Sequence, residues 1–118
     1  MADTARSCLF CRIAAGEVPA RIAYQDDLVV AFHDASPQAP THILLIPRTH
    51  MASAAAIEDG HAELVGRLFT ISSRLARESG VAEGGYRIVT NVGPDAGQSV
   101  AHLHFHLLGG RRFSWPPG

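Results

Sequence analysis

Three of the chain's seven histidines fall within five residues, in His102-Leu103-His104-Phe105-His106. Side chains alternate along a strand, so a strand over 102–108 puts the three imidazoles on one face and Leu103, Phe105 and Leu107 on the other. Neighbouring imidazoles then stand two strand rises apart, about 6.6 Å. Imidazole is a poor core filler, so strict alternation points to a site more than to packing. The apolar face belongs under helices, and the histidine face looks into a cleft or solvent. Two chemistries fit. His-x-His with a remote histidine can hold a catalytic zinc; alternatively, a neutral imidazole attacks phosphorus while a neighbour supplies a proton. The histidines alone do not choose.

The preceding residues add a direction. Gly93-Pro94-Asp95-Ala96-Gly97-Gln98-Ser99 brings backbone N–H groups, an amide and a hydroxyl to the mouth of the histidine strand. Such donors suit phosphate oxygens. A glycine turn by itself is usually only a turn; directly before aligned histidines it favours phosphorus. Ser99 is a poor candidate for a hydrolase nucleophile. Gly97-Gln98-Ser99-Val100-Ala101 lacks the last glycine of a nucleophile elbow, and no acid–histidine pair follows in order. Cys8 and Cys11, taken alone, are two free thiols, a redox pair or half a zinc site.

These residues need a scaffold, and the hydrophobic pattern supplies one. A short helix is expected over 7–15, capped by Ser7. Strands are expected over 21–24 and 28–33, joined by a turn at Gln25-Asp26-Asp27, then over 43–46, ended by Pro47. Leu64, Leu68, Ile71 and Leu75 form the stripe of a long helix over 60–79, capped by Asp59 and stopped by Gly80. A strand over 86–91, a loop over 93–97 and the histidine strand complete the set. The expected fold is α+β, an antiparallel sheet of about five strands with one long and one short helix on one face.

Length and composition bound the rest. A chain of 118 residues, 47% hydrophobic, suits one domain over 1–118. Ten arginines against eleven acids leave a net charge of −1, which argues against nucleic acid or a membrane surface as partner. With no lysine, Schiff-base chemistry and a P-loop are excluded. Residues 1–7 read as a flexible start without a signal core, and no run reaches the ~18 apolar residues of a membrane span. Two cysteines are too few to staple a secreted mini-domain. A cytoplasmic location is expected.

At this point the chain resembles a known family. The His-x-His-x-His run of 102–106 with apolar residues between, the upstream Phe32-His33-Asp34-Ala35-Ser36-Pro37-Gln38-Ala39-Pro40-Thr41-His42 and the ending Trp115-Pro116-Pro117-Gly118 are similar to the histidine triad (HIT) proteins, the Hint branch in particular. The resemblance implies a HIT-like fold and a nucleotidyl hydrolase or transferase. Its substrates would be purine nucleoside 5′-phosphoramidates, adenosine 5′-phosphoramidate among them, and the product a purine mononucleotide. His104 would become nucleotidylated, His106 would contact phosphate and leaving group, His102 would support the site, and His42 would stand behind the nucleophile. Asp34 would accept both ribose hydroxyls. Phe32 and Ala35 would border the base, while Asn91, Gly97, Gln98 and Ser99 would hold phosphate and sugar. No metal or cofactor is needed for these steps.

The same resemblance implies a possible structural zinc on Cys8, Cys11, His50 and His102. It also implies a homodimer whose sheet continues across the two-fold, with the tail over 109–118 placing Trp115 at the neighbour's site. Three positions depart from the family's habit: Ala35 where a bulkier aliphatic is common, Ala101 where an aromatic is, and Ser114 where a histidine is. His33 and His61 are read as having no part in the site. A dinucleoside polyphosphate hydrolase, a nucleotide-binding regulatory module and a hydrolytic zinc enzyme remain as alternatives.

Overall fold

The computed structural model describes residues 7–118. Apart from Ser7, which lies in a turn, the expected flexible start falls outside the described residues. Two helices, α1 (Leu9–Ala14) and α2 (Ala62–Glu78), accompany five strands: β1 (Ile22–Gln25), β2 (Val29–His33), β3 (Thr41–Pro47), β4 (Tyr86–Val89) and β5 (Phe105–Gly109). The strands form one antiparallel sheet in the order β1-β2-β3-β5-β4. Among the described residues, no helix is long and apolar enough to cross a membrane.

The sheet is covered on both faces, not on one. Val29, Ala31, Ile43, Leu45, Phe105 and Leu107 pack against Leu68, Ile71 and Leu75 of α2. Their strand neighbours Val30, Phe32, Leu44 and Ile46 pack instead against Phe10 and Ile13 of α1. Alternation forces this division, because β2 and β3 are apolar at consecutive positions and so need cover on each side. The continuous apolar run at 43–46 carried that signal.

Several boundaries differ for local reasons. Cys8, not Ser7, caps α1, its sulfur accepting from the Cys11 N–H. Asp59 opens a short 3-10 turn over Asp59–His61 before α2, where the His61 ring accepts from the Glu58 N–H. Gly80, at φ 76°, stops α2 as expected. Pro47 belongs to β3, since a last strand residue needs only its carbonyl. The expected strand over 102–108 begins only at Phe105. Pairing with β3 starts at Leu45–Phe105, and before it the Leu103 N–H turns to the Met51 carbonyl at 2.6 Å.

The hairpin between β1 and β2 is fixed by Asp26, whose carboxylate accepts from the Leu28 and Val29 N–H groups, both at 2.8 Å, and from Tyr24 and Arg67. Burial opposes its charge, but these four donors outweigh burial and hold its pKa well below the carboxylate range. Close packing at the far end of the sheet gives a test. A Cβ added at Gly109 would lie 2.8 Å from the Val81 Cβ, whereas Gly66 in α2 has open space. Gly109→Ala should cost about 1–3 kcal/mol, and Gly66→Ala should gain up to about 1 kcal/mol. Urea midpoints of the two variants should therefore move in opposite directions.

Candidate active site

The register of β3 on β5 pairs Leu44 with His106 and His42 with Leu108. His42 and His106 are thus diagonal neighbours on the α1 face, and their rings meet, His42 Nε2 to His106 Nδ1 at 2.9 Å. The Gln38 N–H points at His42 Nδ1 at 3.0 Å. A backbone N–H only donates, so His42 Nδ1 is bare and its proton sits on Nε2. That proton goes to His106 Nδ1, with Asp34 Oδ2 3.4 Å away, and leaves the His106 proton on Nε2. The resemblance placed His42 behind His104; the structure sets it against His106, because register and diagonal pairing bring those two together.

His104 is governed by the same logic. Its Nδ1 lies 2.7 Å from the His102 carbonyl. A carbonyl only accepts, so Nδ1 carries the proton and Nε2 keeps its lone pair. The ring is buried, held edge-on by Phe10 at 5.1 Å and beside His106 at 5.0 Å.

His102 faces neither cleft nor solvent; it is fully buried. Its Nε2–H donates to the Pro47 carbonyl at 2.8 Å, which turns a bare Nδ1 toward Cys8 Sγ at 3.4 Å and Cys11 Sγ at 3.5 Å. His50 Nδ1 approaches Cys11 Sγ at 3.2 Å. All four donor atoms lie within 4.8 Å of one another. Sulfur and nitrogen ligands of one tetrahedral zinc are about 3.5 Å apart, so this donor set fits the ion.

Asp34, His42 and His106 also cluster within ligand range. Their tautomers oppose a metal there, since the His42 nitrogen facing the others carries the proton. The group is a hydrogen-bond relay. Burial first, then the neighbouring rings, pushes His106 down to about 4, against a smaller upward pull from Asp34. Burial likewise lowers His42, opposed by Asp34, and lowers His102. At neutral pH His106 is therefore a neutral N–H donor.

A cavity of about 670 Å³ opens beside Asp34. Phe32 and Ala35 line it, together with Leu9, Phe10 and Ile13 of α1 and Leu44 of β3. The α1 residues were legible only as a helical stripe, which gives no sign of what it faces. Asp34 Oδ1 accepts from the Ser36 N–H and retains further lone pairs.

The loop over 93–99 is more self-contained than its composition indicates. Ala96, Gly97 and Gln98 donate their N–H groups to the Gly93 and Pro94 carbonyls. The Gln98 amide accepts from Gly93 and donates to Ala52 and Val100, and Asn91 Nδ2 donates to Ala96. Asn91 and Gln98 thus brace the loop, while Ser99 is exposed and takes no part in those bonds. Trp115 stands 85% exposed. Its tail is tied to β4 through Arg87, which donates to the Ser114 and Pro117 carbonyls. His33, read from the sequence as having no part in the site, is among the residues that line the cavity beside Asp34, and His61 serves the turn before α2.

The HIT domain model matches residues 15–113. The chain belongs to the HIT family. The purine nucleoside phosphoramidase of Escherichia coli K12 is 46% identical over 107 residues, 91% of this chain and 90% of that protein. A HIT family hydrolase from Legionella pneumophila superposes with a TM-score of 0.92 at 48% identity, covering 94% of this chain and 99% of its own. A histidine triad protein from Clostridium difficile gives 0.87 at 41% identity, covering 91% and 93%.

In this HIT chain the lowered His106 sets an acid limit on stability. The unfolded histidine titrates near 6.5 and the folded one at about 4, so between these values the unfolded state binds more protons. Its contribution is full above pH 6.5 and is lost as pH falls toward 4, at up to about 1.4 kcal/mol per pH unit. His106→Gln should show a shallower loss over that window than the parent. Denaturant titrations at pH 7 and 4.5 compare the two, and equal slopes would count against the assignment.

Proposed function

We propose that the chain hydrolyses the P–N bond of purine nucleoside 5′-phosphoramidates through a nucleotidyl-His104 intermediate. The observation that carries this reading is the His104 ring. Its proton is fixed on Nδ1 by the His102 carbonyl, and its bare Nε2 belongs to the same sheet face as Asp34's cavity. The E. coli relative's activity supports the substrate class. The base enters the cavity walled by Phe10, Phe32, Ala35 and Leu44, and Asp34 accepts the ribose hydroxyls. The phosphoryl group lies between His104, the His106 N–H and Ser99.

His104 Nε2 attacks phosphorus; a P–Nε2 bond forms, the P–N bond to the amine breaks, and the departing nitrogen takes one proton. A water oxygen then attacks phosphorus, the P–Nε2 bond breaks, and the water gives up one proton. The two protons cancel, so the reaction consumes only water. Neutral His106 stabilises the phosphoryl oxygens as a fixed donor. His104→Ala should lower kcat at least about a thousandfold, on the order of 4 kcal/mol. Rapid-quench mass spectrometry of the parent should find the nucleotide on His104. An adduct on His102 or His106 would refute the assignment.

Zinc on Cys8, Cys11, His50 and His102 is part of this reading. The ion would cross-link α1, the segment after β3 and the start of the triad, and it takes no part in the displacement. The purified protein should carry about one equivalent of zinc per chain, and the Cys8→Ser, Cys11→Ser double variant should carry none and melt lower. Stoichiometric zinc in that variant would contradict the site. Thiols that ligate must stay reduced, which suits the cytoplasm.

The functional unit in this reading spans 1–118 and works as a homodimer. β4 is an edge strand, and half-exposed Phe69 on α2 stands against Phe105. A second copy would cover both features and extend the sheet. The tail over 109–118 would then present Trp115 to the partner's leaving-group side.

A further inference from the structure

We infer that Thr90 is a positioning residue for the nucleophile, an inference that rests on the assignment of His104 above. The β4–β5 ladder runs from Tyr86–Gly109 to Val89–His106, and the β3–β5 ladder ends at Leu45–Phe105. His104 lies one residue beyond the β3–β5 ladder and two beyond the β4–β5 ladder, so the register of neither includes it. Thr90, the first residue after β4, donates its hydroxyl to the His104 carbonyl at 2.8 Å. That bond carries the sheet's constraint past the point where backbone pairing stops.

The consequence for chemistry follows from how the ring is aimed. His104 Nδ1–H reaches back to the carbonyl of His102, two residues earlier, so the direction of Nε2 depends on the backbone between them. Leu103 is tied to Met51 through its N–H, and His102 to Pro47 through its ring. These bonds secure the N-terminal side of the nucleophile. Thr90 secures the other side. Misplacing a reacting atom by about 1 Å can cost about a hundredfold, so a single anchor at this position bears on turnover more than on binding.

Thr90→Val keeps the branched shape and removes the hydroxyl; Thr90→Ser keeps the hydroxyl and removes a methyl. Steady-state kinetics with adenosine 5′-phosphoramidate should show kcat down about tenfold in the Val variant with KM within about twofold, and most of that kcat restored in the Ser variant. Nitrogen-15 NMR of the free protein should show the His104 Nδ1–H signal broadened or shifted in Thr90→Val and unaltered in Thr90→Ser. Unchanged kcat in the Val variant, a loss shared equally by the Ser variant, or a rise in KM alone would each overturn the inference. Adduct trapping on His104 in the parent separates this failure from failure of the nucleophile itself. An adduct elsewhere defeats the nucleophile, whereas an adduct on His104 with full turnover in Thr90→Val defeats only the role of Thr90.

Discussion

One hydrogen bond decides what the triad can do: the 2.7 Å contact from His104 Nδ1 to the His102 carbonyl. A neutral imidazole has one lone pair, and whichever nitrogen carries the proton loses its nucleophilicity. By accepting from Nδ1–H, a backbone carbonyl keeps the proton on that nitrogen and leaves the Nε2 lone pair free without a charged group. The same device recurs at Pro47 for His102 and, in reverse, at the Gln38 N–H for His42. Three histidines hold defined tautomers because backbone groups, which cannot change roles, are their partners, and His42 in turn sets the tautomer of His106.

Those backbone groups stay in place because the sheet is packed on both faces. On the α2 side, Leu68, Ile71 and Leu75 close over Ile43, Leu45 and Leu107. On the other, Phe10 meets Phe32, His102 and His104 edge-on. α1 is only six residues long, too short to hold itself as a helix in water. Its cysteines meet His50 and His102, and Arg48 donates to its Ala14 carbonyl, so tertiary contacts hold what propensity does not. The helix that walls the cavity and the ring that braces the nucleophile are therefore tied together at Cys8, Cys11 and His102.

Much of this was legible in the residues. The turn at Asp26 and the stripe of α2 follow from residue type and spacing, and the resemblance alone pointed to the donor set Cys8, Cys11, His50 and His102. The alternation at 102–106 marked the site but misplaced His102, which is buried ahead of β5. What was not legible depends on pairing across the sheet. Nothing local says that His42 pairs opposite Leu108 and so meets His106 instead of His104. Nothing local says that β5 begins at Phe105: β3 runs on to Pro47, but Leu103 gives its N–H to Met51 instead of continuing the ladder. The amides of Asn91 and Gln98 read as ligand donors, and residue type gave no sign of the bonds they also make, Asn91 to Ala96 and Gln98 to Gly93, Ala52 and Val100. α1 was placed on the wrong face because amphipathic spacing identifies a face without naming its partner.

The electrostatics follow an economy that the charge count foreshadows. An anionic phosphoryl group is commonly met by lysine or arginine, yet this chain has no lysine, and apart from Arg21, which lines the cavity beside Asp34, the arginines with hydrogen bonds spend them elsewhere. Arg48 serves Asp26, Ala14 and Gln25; Arg67 serves Asp26 and Tyr24; Arg87 holds the tail; Arg111 reaches Gln38. The face that would receive phosphate is furnished with neutral donors. Burial makes this workable, since fixed N–H dipoles gain strength where water is scarce. It also makes it necessary, because a cation at His106 would raise the cost of burying His42 and His104 beside it. The burial that lowers His106 is thus the same burial that lets a neutral N–H serve where a charge would otherwise be required.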